Sequence, residues 1–588
     1  MPHLNFNVPQ LTSSGQESLP RPKEMEEWIA KLPVASITKT AKLLYKVIKK
    51  LNRIKIDPNT RLALTTPLAK AIDQNVRAAE RHYIDAVLPL SIKLKHLAFI
   101  RIQLAEELSF TYKLMVQDLA QNLSGVLERK LLPFAIFHAI HRLSELIYTK
   151  ALIYQLPPDL IGNELYTLFE FAETNKFIAT DFSAALGPNG EEIECTIKDL
   201  YLRALIFTTA TPIRLRQREI CAVYLGLIKW AKVIRMRHIT EFIPKPTCFI
   251  LQTHGNYFPQ HSTLVPRQLQ APAIELDTDF LIHVLQDLHD TMPTEIYGIV
   301  RGDQRDALTK STIRRLIQVW GFASQRQFTR THLNFELPLA IGLNAIYKLL
   351  TGQDSLQTEP TLLELEQPVE TGETPNLGRD SDFAALDIVD TERNSGLTLV
   401  EDDNFNDSNL RISELDDFSI NLSIEPPKTS MATSVSPYVI LTTLNESIGG
   451  YCVDWSSNKA PGVKVGELIS IAIPGNPPAY TLAVIRWIHD TLKHGMQVGL
   501  QVLAPNIEAV VIMNNKLHSD TKPINCLLIS EFKAANLPAS LIAPPLAFRM
   551  DNLNTNLIFK HGQSERQIRL IELLEATGAF ARFSFVFQ

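Results

Sequence analysis

The sequence predicts a multidomain α+β protein, with an all-α helical array in its N-terminal part and an antiparallel β-barrel in its C-terminal part, interrupted by a disordered acidic insert. Three observations predict this. Apolar residues recur at helical spacing over roughly residues 21–243. Short β-branched and aromatic runs separated by Gly, Asn and Pro crowd residues 437–513. Between them, residues 351–436 hold 19 acidic against 4 basic residues and show no sustained periodicity. At 588 residues the chain is also too long for one hydrophobic core.

Residues 1–20 are polar and read as a disordered tail. AKLLYKVIKKL, from Ala41 to Leu51, sets apolar residues on one helix face and lysines on the other. Comparable stretches follow, including FAIFHAIHRLSELIYTKALIYQL and REICAVYLGLIKWAKVIRM, broken at LPPDLIGN and ALGPNG where Pro, Gly and Asn end helices. Residues 21–243 are therefore expected to form the helical domain. A small α/β segment is expected over 244–325, where TCFILQTHGNYF reads as a strand or hairpin and DFLIHVLQDLHD and STIRRLIQVWGFA as helices. NFELPLAIGL, Asn334–Leu343, reads as a strand with the helix NAIYKLL behind it. The insert 351–436 lacks the apolar surface to offset its ordering entropy. YVILTTL, GYCVDW, ELISIAI, YTLAVIRWI and MQVGLQVL have the spacing of an antiparallel barrel built from 326–350 and 437–515. Residues 516–588 continue the β pattern as a C-terminal β-rich extension.

Charge is unevenly spread. The chain carries −5 overall, and the insert alone accounts for more than that, so the remainder is basic by about +10. A basic folded part suits an anionic ligand or partner without naming one. The five cysteines, Cys195, Cys221, Cys248, Cys452 and Cys526, lie far apart with no CxxC, as free thiols of a reducing compartment do. The N-terminus has no basic and apolar leader, and no run reaches the ~20 apolar residues of a membrane span. A cytoplasmic protein is expected.

Catalytic signatures are absent: the sequence holds no GxxxxGK[ST], GxSxG, HExxH or GxGxxG. His138 and His141 stand three apart on a helix without a carboxylate or cysteine at ligand spacing, and read as two histidines on a bundle surface. No enzyme, metal or cofactor is expected.

Two short motifs stand out together. One is Arg326-Gln-Phe-Thr-Arg330, preceded by Gln325; the other is Asn445-Glu-Ser447-Ile-Gly449-Gly450. Arginine's planar fork can make paired hydrogen bonds to a planar acceptor group, as the point charge of lysine cannot. Asn445 and Ser447, two apart on an extended segment, share a face and offer polar groups there. Gly450 permits close backbone approach or positive φ.

In this order, and with a strand after the arginines and VGLQ near the end, the motifs resemble those of the PilZ domain family. The resemblance covers residues 320–350 and 437–510. It implies a PilZ-like β-barrel that binds cyclic di-GMP through Arg326, Arg330, Asn445, Ser447 and Gly450, with Gln325 and Gly449 as secondary residues. In that family the position of Gln325 tends to influence whether one or two ligand molecules bind. The expected function is a second-messenger effector that signals through its helical N-terminal region to a protein partner, with motility, biofilm or exopolysaccharide as its output. One departure is the spacing: Arg330 and Asn445 are more than a hundred residues apart, whereas a few tens are usual. A long surface insert costs only about 0.6 kcal/mol per doubling of loop length. Its acidity predicts a competing polyanion folded over the basic site. Two other classes stay open: a ligand-free PilZ-like scaffold, and nucleic-acid binding through the basic helices around Lys39–Lys55, which lack a reading motif.

Overall fold

The computed structural model describes residues 4–12, 19–84, 86–121, 125–187, 190–253, 257–292, 308–322, 330–352, 438–447, 449–455, 462–473, 479–491, 495–514, 523–531, 538–545, 547–548, 557–562 and 564–588. The acidic insert and its expected disorder lie outside the described residues.

Helices α1 (Pro22–Ala30), α2 (Ile37–Leu51), α3 (Pro58–Tyr83), α4 (Ile92–Leu119), α5 (Val126–Leu152), α6 (Asp159–Thr174), α7 (Ile197–Thr209) and α8 (Gln217–Trp230) build the N-terminal domain. Local signals set their starts. Asp57 caps α3 by accepting from the amides of Asn59 and Thr60, with Pro58 as the first helical residue. Thr196 and Asp199 form a capping box on α7. The long helices α4 and α5 carry apolar residues on every side and occupy the centre, as helices without a polar face must.

Burial there brings charges inside in pairs. Lys113 meets Glu164 at 2.8 Å, and Arg142 meets Asp73 at 2.6 Å. The first pair corrects the expected disordered tail for residues 4–12. Glu164 accepts from the Asn7 amide and Lys113 donates to the Asn7 carbonyl. Phe6 is buried, and Leu4 and Val8 pack on the same core. Alternating apolar side chains and two satisfied backbone groups hold a segment that looked merely polar.

The helical array is also less uniform than its periodicity suggests. Strands β1 (Asp181–Ala185) and β2 (Glu192–Thr196) pair as an antiparallel hairpin, and β3 (Arg235–Glu241) leaves the array for a sheet. That sheet has the order β3-β6-β4-β5, with β4 (Cys248–Gln252), β5 (Gln260–His261) and β6 (Gln268–Asp277). Helices α9 (Asp279–Thr291) and α10 (Lys310–Gly321) follow. Trp320 of α10 is fully buried, and its indole N–H donates to Thr209 Oγ1 at 2.9 Å, tying this segment to the helical domain.

The first closed barrel comprises β7 (Glu336–Ile341), β8 (Val439–Ser447), β9 (Gly450–Asp454), β10 (Leu468–Ile473), β11 (Ala479–Thr491) and β12 (Gly495–Ala504), with α11 (Leu343–Thr351) between β7 and β8. Its circular order is β10-β11-β12-β9-β8-β7. The insert does not disturb the pairing: Leu337 still faces Leu441 across β7 and β8.

Residues 507–587 close a second barrel from β13 (Ile507–Asn514), β14 (Ile524–Ile529), β15 (Ser540–Ala543), β16 (Leu557–His561), β17 (Ser564–Ala576) and β18 (Ala581–Phe587). Numbered within each barrel, the pairings are the same: first with second, second with third, third with sixth, sixth with fifth, fifth with fourth, and fourth with first. The long fifth strand carries a register shift against the sixth in both. The β-rich extension is therefore a topological repeat of the barrel before it.

Hydrogen bonds join the parts. Val463 N–H donates to the Leu88 carbonyl at 3.0 Å, and Asp490 N–H to that of Tyr154 at 3.0 Å. Arg216, at the start of α8, donates from Nε to the Val465 carbonyl at 2.8 Å. Its guanidinium fills the space beside Gly578, where an added Cβ would stand 1.7 Å from a guanidinium nitrogen. Thr577 Oγ1 donates to the Gly466 carbonyl at 2.9 Å, so one arginine and one threonine bring three domains together.

The expectation that His138 and His141 sit on a bundle surface is corrected. His141 is buried in α5, and His138, partly exposed at the residue level, is covered by Tyr112, Phe134 and Phe137. Burial, then neighbouring cations, pushes both imidazoles well below their ordinary value. Because the folded value is depressed, the neutral rings add stability above the unfolded value of about 6.5, and this is lost as pH falls below it. Glu106, which burial raises to about 7, acts in the opposite sense. The variant His138→Phe/His141→Gln keeps Glu106 and isolates the histidines. Its melting temperature should fall less than wild type between pH 7.5 and 5.5, by thermal denaturation.

Candidate functional site

The β8–β9 hairpin carries the second motif. Asn445 pairs with Cys452 and Ser447 with Gly450, so both side chains lie on the outer face, as their spacing predicted. Ser447 Oγ donates to the Gly450 carbonyl at 3.3 Å across the turn. Gly449 occupies that turn, and its carbonyl accepts from Val502 N–H at 3.0 Å. Gly450 has φ +153°, and a Cβ there would stand 1.9 Å from the Leu500 carbonyl oxygen. Only glycine allows β9 to approach β12 this closely.

Of the first motif, Gln325 and Arg326 lie outside the described residues. Arg330 is described and exposed. Its neighbour Thr331 exchanges two backbone hydrogen bonds with Glu446, each 2.9 Å, between Asn445 and Ser447 in sequence. The chain stays pinned beyond: Phe335 N–H donates to Thr443 Oγ1 at 3.0 Å, and Thr443 N–H donates to the Phe335 carbonyl at 2.9 Å. Arg330 is thus the residue at which the segment becomes anchored along β8. The Cys452 thiol registers the result. Burial raises it, while Arg330 and the Asn445 side chain pull it down.

Arg330, Asn445, Ser447 and Gly450 therefore converge on one outer face, although more than a hundred residues separate the arginine from the rest.

The register extends this face to residues that sequence reasoning missed. Cys452 pairs with Gly499, and Gly499 with Trp487. The row Asn445, Cys452, Gly499, Trp487 crosses four strands on one side of the sheet. Trp487 covers Gly499 so closely that an added Cβ would meet the indole at 2.0 Å. Small residues make the floor and the indole a wall at one end. The irregularity between Ile485 and Trp487 makes Arg486 an extra, unpaired residue of β11, and its Nε donates to Gln501 Oε1 at 2.6 Å. Gln501 is the register partner of Gly450. The only sequence trace of this bulge is the dipeptide Arg486-Trp487, which strict alternation would set on opposite faces.

The second barrel has no such set. At the positions topologically equivalent to Trp487, Gly499, Cys452 and Asn445 stand Glu572, Ser584, Ser540 and Ile529. Ile529 is buried among apolar residues of both barrels, including Val484 and Leu482. No described residues form a metal-grade cluster of His, Cys, Asp or Glu, and no described helix is long and apolar enough to cross a membrane.

Gly450→Ala should destabilise the chain by roughly 1–3 kcal/mol, because β9 cannot move away from β12 without breaking the barrel. Denaturant unfolding followed by tryptophan fluorescence measures this.

Comparison with known proteins finds three consecutive matches. Residues 23–240 match the N-terminal domain of the cyclic-di-GMP receptor FimW, residues 248–508 its middle PilZ domain, and residues 510–587 the FimW C-terminal beta-barrel domain. The chain is 25% identical to the cyclic-di-GMP receptor FimW of Pseudomonas aeruginosa, over 99% of this chain and 93% of that protein. No solved structure matches. With a closed six-stranded barrel, Arg330 and the second motif on its outer face and these matches, the chain belongs to the PilZ domain family, with a distinct helical N-terminal region before its barrel.

Proposed function

We propose that this chain is a cyclic di-GMP receptor that binds the dinucleotide on the outer face of its first barrel. The observation that carries the reading is the Thr331–Glu446 bridge, which sets Arg330 beside Asn445 and Ser447. The relative's name as a cyclic-di-GMP receptor supports the choice of ligand.

The chemistry follows from what the ligand presents: two guanines and two phosphates in a compact ring. Arg330, with Arg326 on the preceding segment, supplies guanidinium forks for guanine edges and phosphate oxygens. Asn445 and Ser447 hydrogen-bond the remaining guanine edge. The Gly499–Cys452 floor lets a flat base lie close to the sheet. Trp487 then offers a stacking face, an interaction of about 1–3 kcal/mol per base. Gln325 acts on ligand stoichiometry and Gly449 shapes the turn.

The protein acts by binding rather than by catalysis and works in the cytoplasm. Its three-domain junction at Arg216 provides a physical route to the helical domain, which carries the signal to a protein partner. The output is motility, biofilm or exopolysaccharide production.

Calorimetric titration of the full chain with cyclic di-GMP tests the reading. Wild type should bind at micromolar or tighter affinity, and Arg330→Ala should weaken binding by about tenfold or more. Absence of binding by folded wild type would refute it, and the scaffold reading would replace it.

A further inference from the structure

The bulge on β11 places a third arginine beside the site, and that arginine is shared with another domain. Arg486 reaches from the nucleotide face to the second barrel. Its Nη1 donates to Glu575 Oε1 at 2.5 Å and its Nη2 to Oε2 at 3.3 Å, while Nε stays on Gln501. Gln501 stands opposite Gly450, so the guanidinium lies about one to two strand spacings, roughly 5–10 Å, from the motif glycine. It keeps about a third of its surface exposed.

Charge around this pair is lopsided. Arg214 of the helical domain and Arg582 of the second barrel both feel Arg486 as a like charge, and Glu575 favours the charged form of Arg582. Two guanidiniums, Arg486 and Arg582, thus share the Glu575 carboxylate, and Arg214 of the helical domain adds a third positive charge beside Arg486.

Resting on the receptor reading above, we propose that Arg486 is a further ligand-binding residue, for which a phosphate of the dinucleotide and the Glu575 carboxylate compete. A phosphate offers the same bidentate geometry as the carboxylate and relieves the excess of positive charge. The exchange leaves Glu575 beside a second cation, because Arg582 is its register partner across β17 and β18 and its charged form is favoured by that carboxylate. Its consequence is mechanical. Arg486–Glu575 is an ion pair between the two barrels, so ligand binding removes one tie holding the β17–β18 hairpin to the nucleotide face. The second barrel, whose Ile529 at the equivalent face is buried against the first barrel, then acts as the element that responds. A ligand can shift such an arrangement only through different affinities for its two states, and competition for one guanidinium supplies that difference.

Calorimetry with cyclic di-GMP on the full chain decides the matter, with circular dichroism confirming the fold of each variant. Glu575→Gln, which keeps shape and removes charge, should tighten binding by about three- to tenfold. Arg486→Ala should weaken it by about tenfold, and adding Glu575→Gln to Arg486→Ala should change nothing further. Hydrogen exchange should show the β17–β18 hairpin less protected when ligand is bound. If wild type binds and Arg330→Ala weakens binding, but Glu575→Gln and Arg486→Ala both match wild type, the exchange is wrong while the receptor reading stands. If folded wild type does not bind at all, both fall.

Discussion

The site depends on two backbone hydrogen bonds between Thr331 and Glu446. Without them the arginine segment and the Asn-Ser-Gly hairpin are distant parts of the chain, divided by a helix and a long acidic insert. With them, Arg330 stands at the edge of the strand that presents Asn445 and Ser447. A backbone bridge does this at low cost, because it fixes position while leaving the arginine side chain exposed and free to find a ligand. Thr443 reinforces it by holding Phe335 one turn of the path later. The barrel supplies the rest of the rigidity, since a closed sheet has no edge to fray.

The second barrel sets off the chemistry of the first. Both have the same strand pairing and a register shift in the same place, yet their equivalent faces differ in chemistry. Where the first has asparagine, cysteine, glycine and tryptophan, open to solvent at one end, the second has isoleucine, serine, serine and glutamate. Its isoleucine is buried against the first barrel. One copy of the architecture carries the motif residues on this face and the other buries its isoleucine against its neighbour. The shared fold therefore does not fix the chemistry of the face; the residues on it do.

Much of the fold was legible because periodicity reflects burial directly. The helical domain, the β7 strand with α11 behind it, and the strands of the first barrel all follow from spacing and turn residues. The face shared by Asn445 and Ser447 was legible for the same reason. What escaped depended on contacts between segments far apart in sequence. Leu4, Phe6 and Val8 look like a polar tail until Lys113 and Glu164 satisfy the backbone between them. His138 and His141 look like surface residues until α5 proves central. Closure of the last eighty residues requires β13 to pair with β16, which no local pattern announces. Trp487 and Arg486 escaped because a bulge breaks the alternation by which a strand is read.

The most direct test of the central claim is a structure of the full chain crystallised with cyclic di-GMP. The account predicts the dinucleotide against the Asn445–Gly450 hairpin, with the Arg330 guanidinium on a guanine edge or phosphate and the Trp487 indole against a base. A dinucleotide bound elsewhere, or bound on this face with Arg330 turned to solvent, would contradict it.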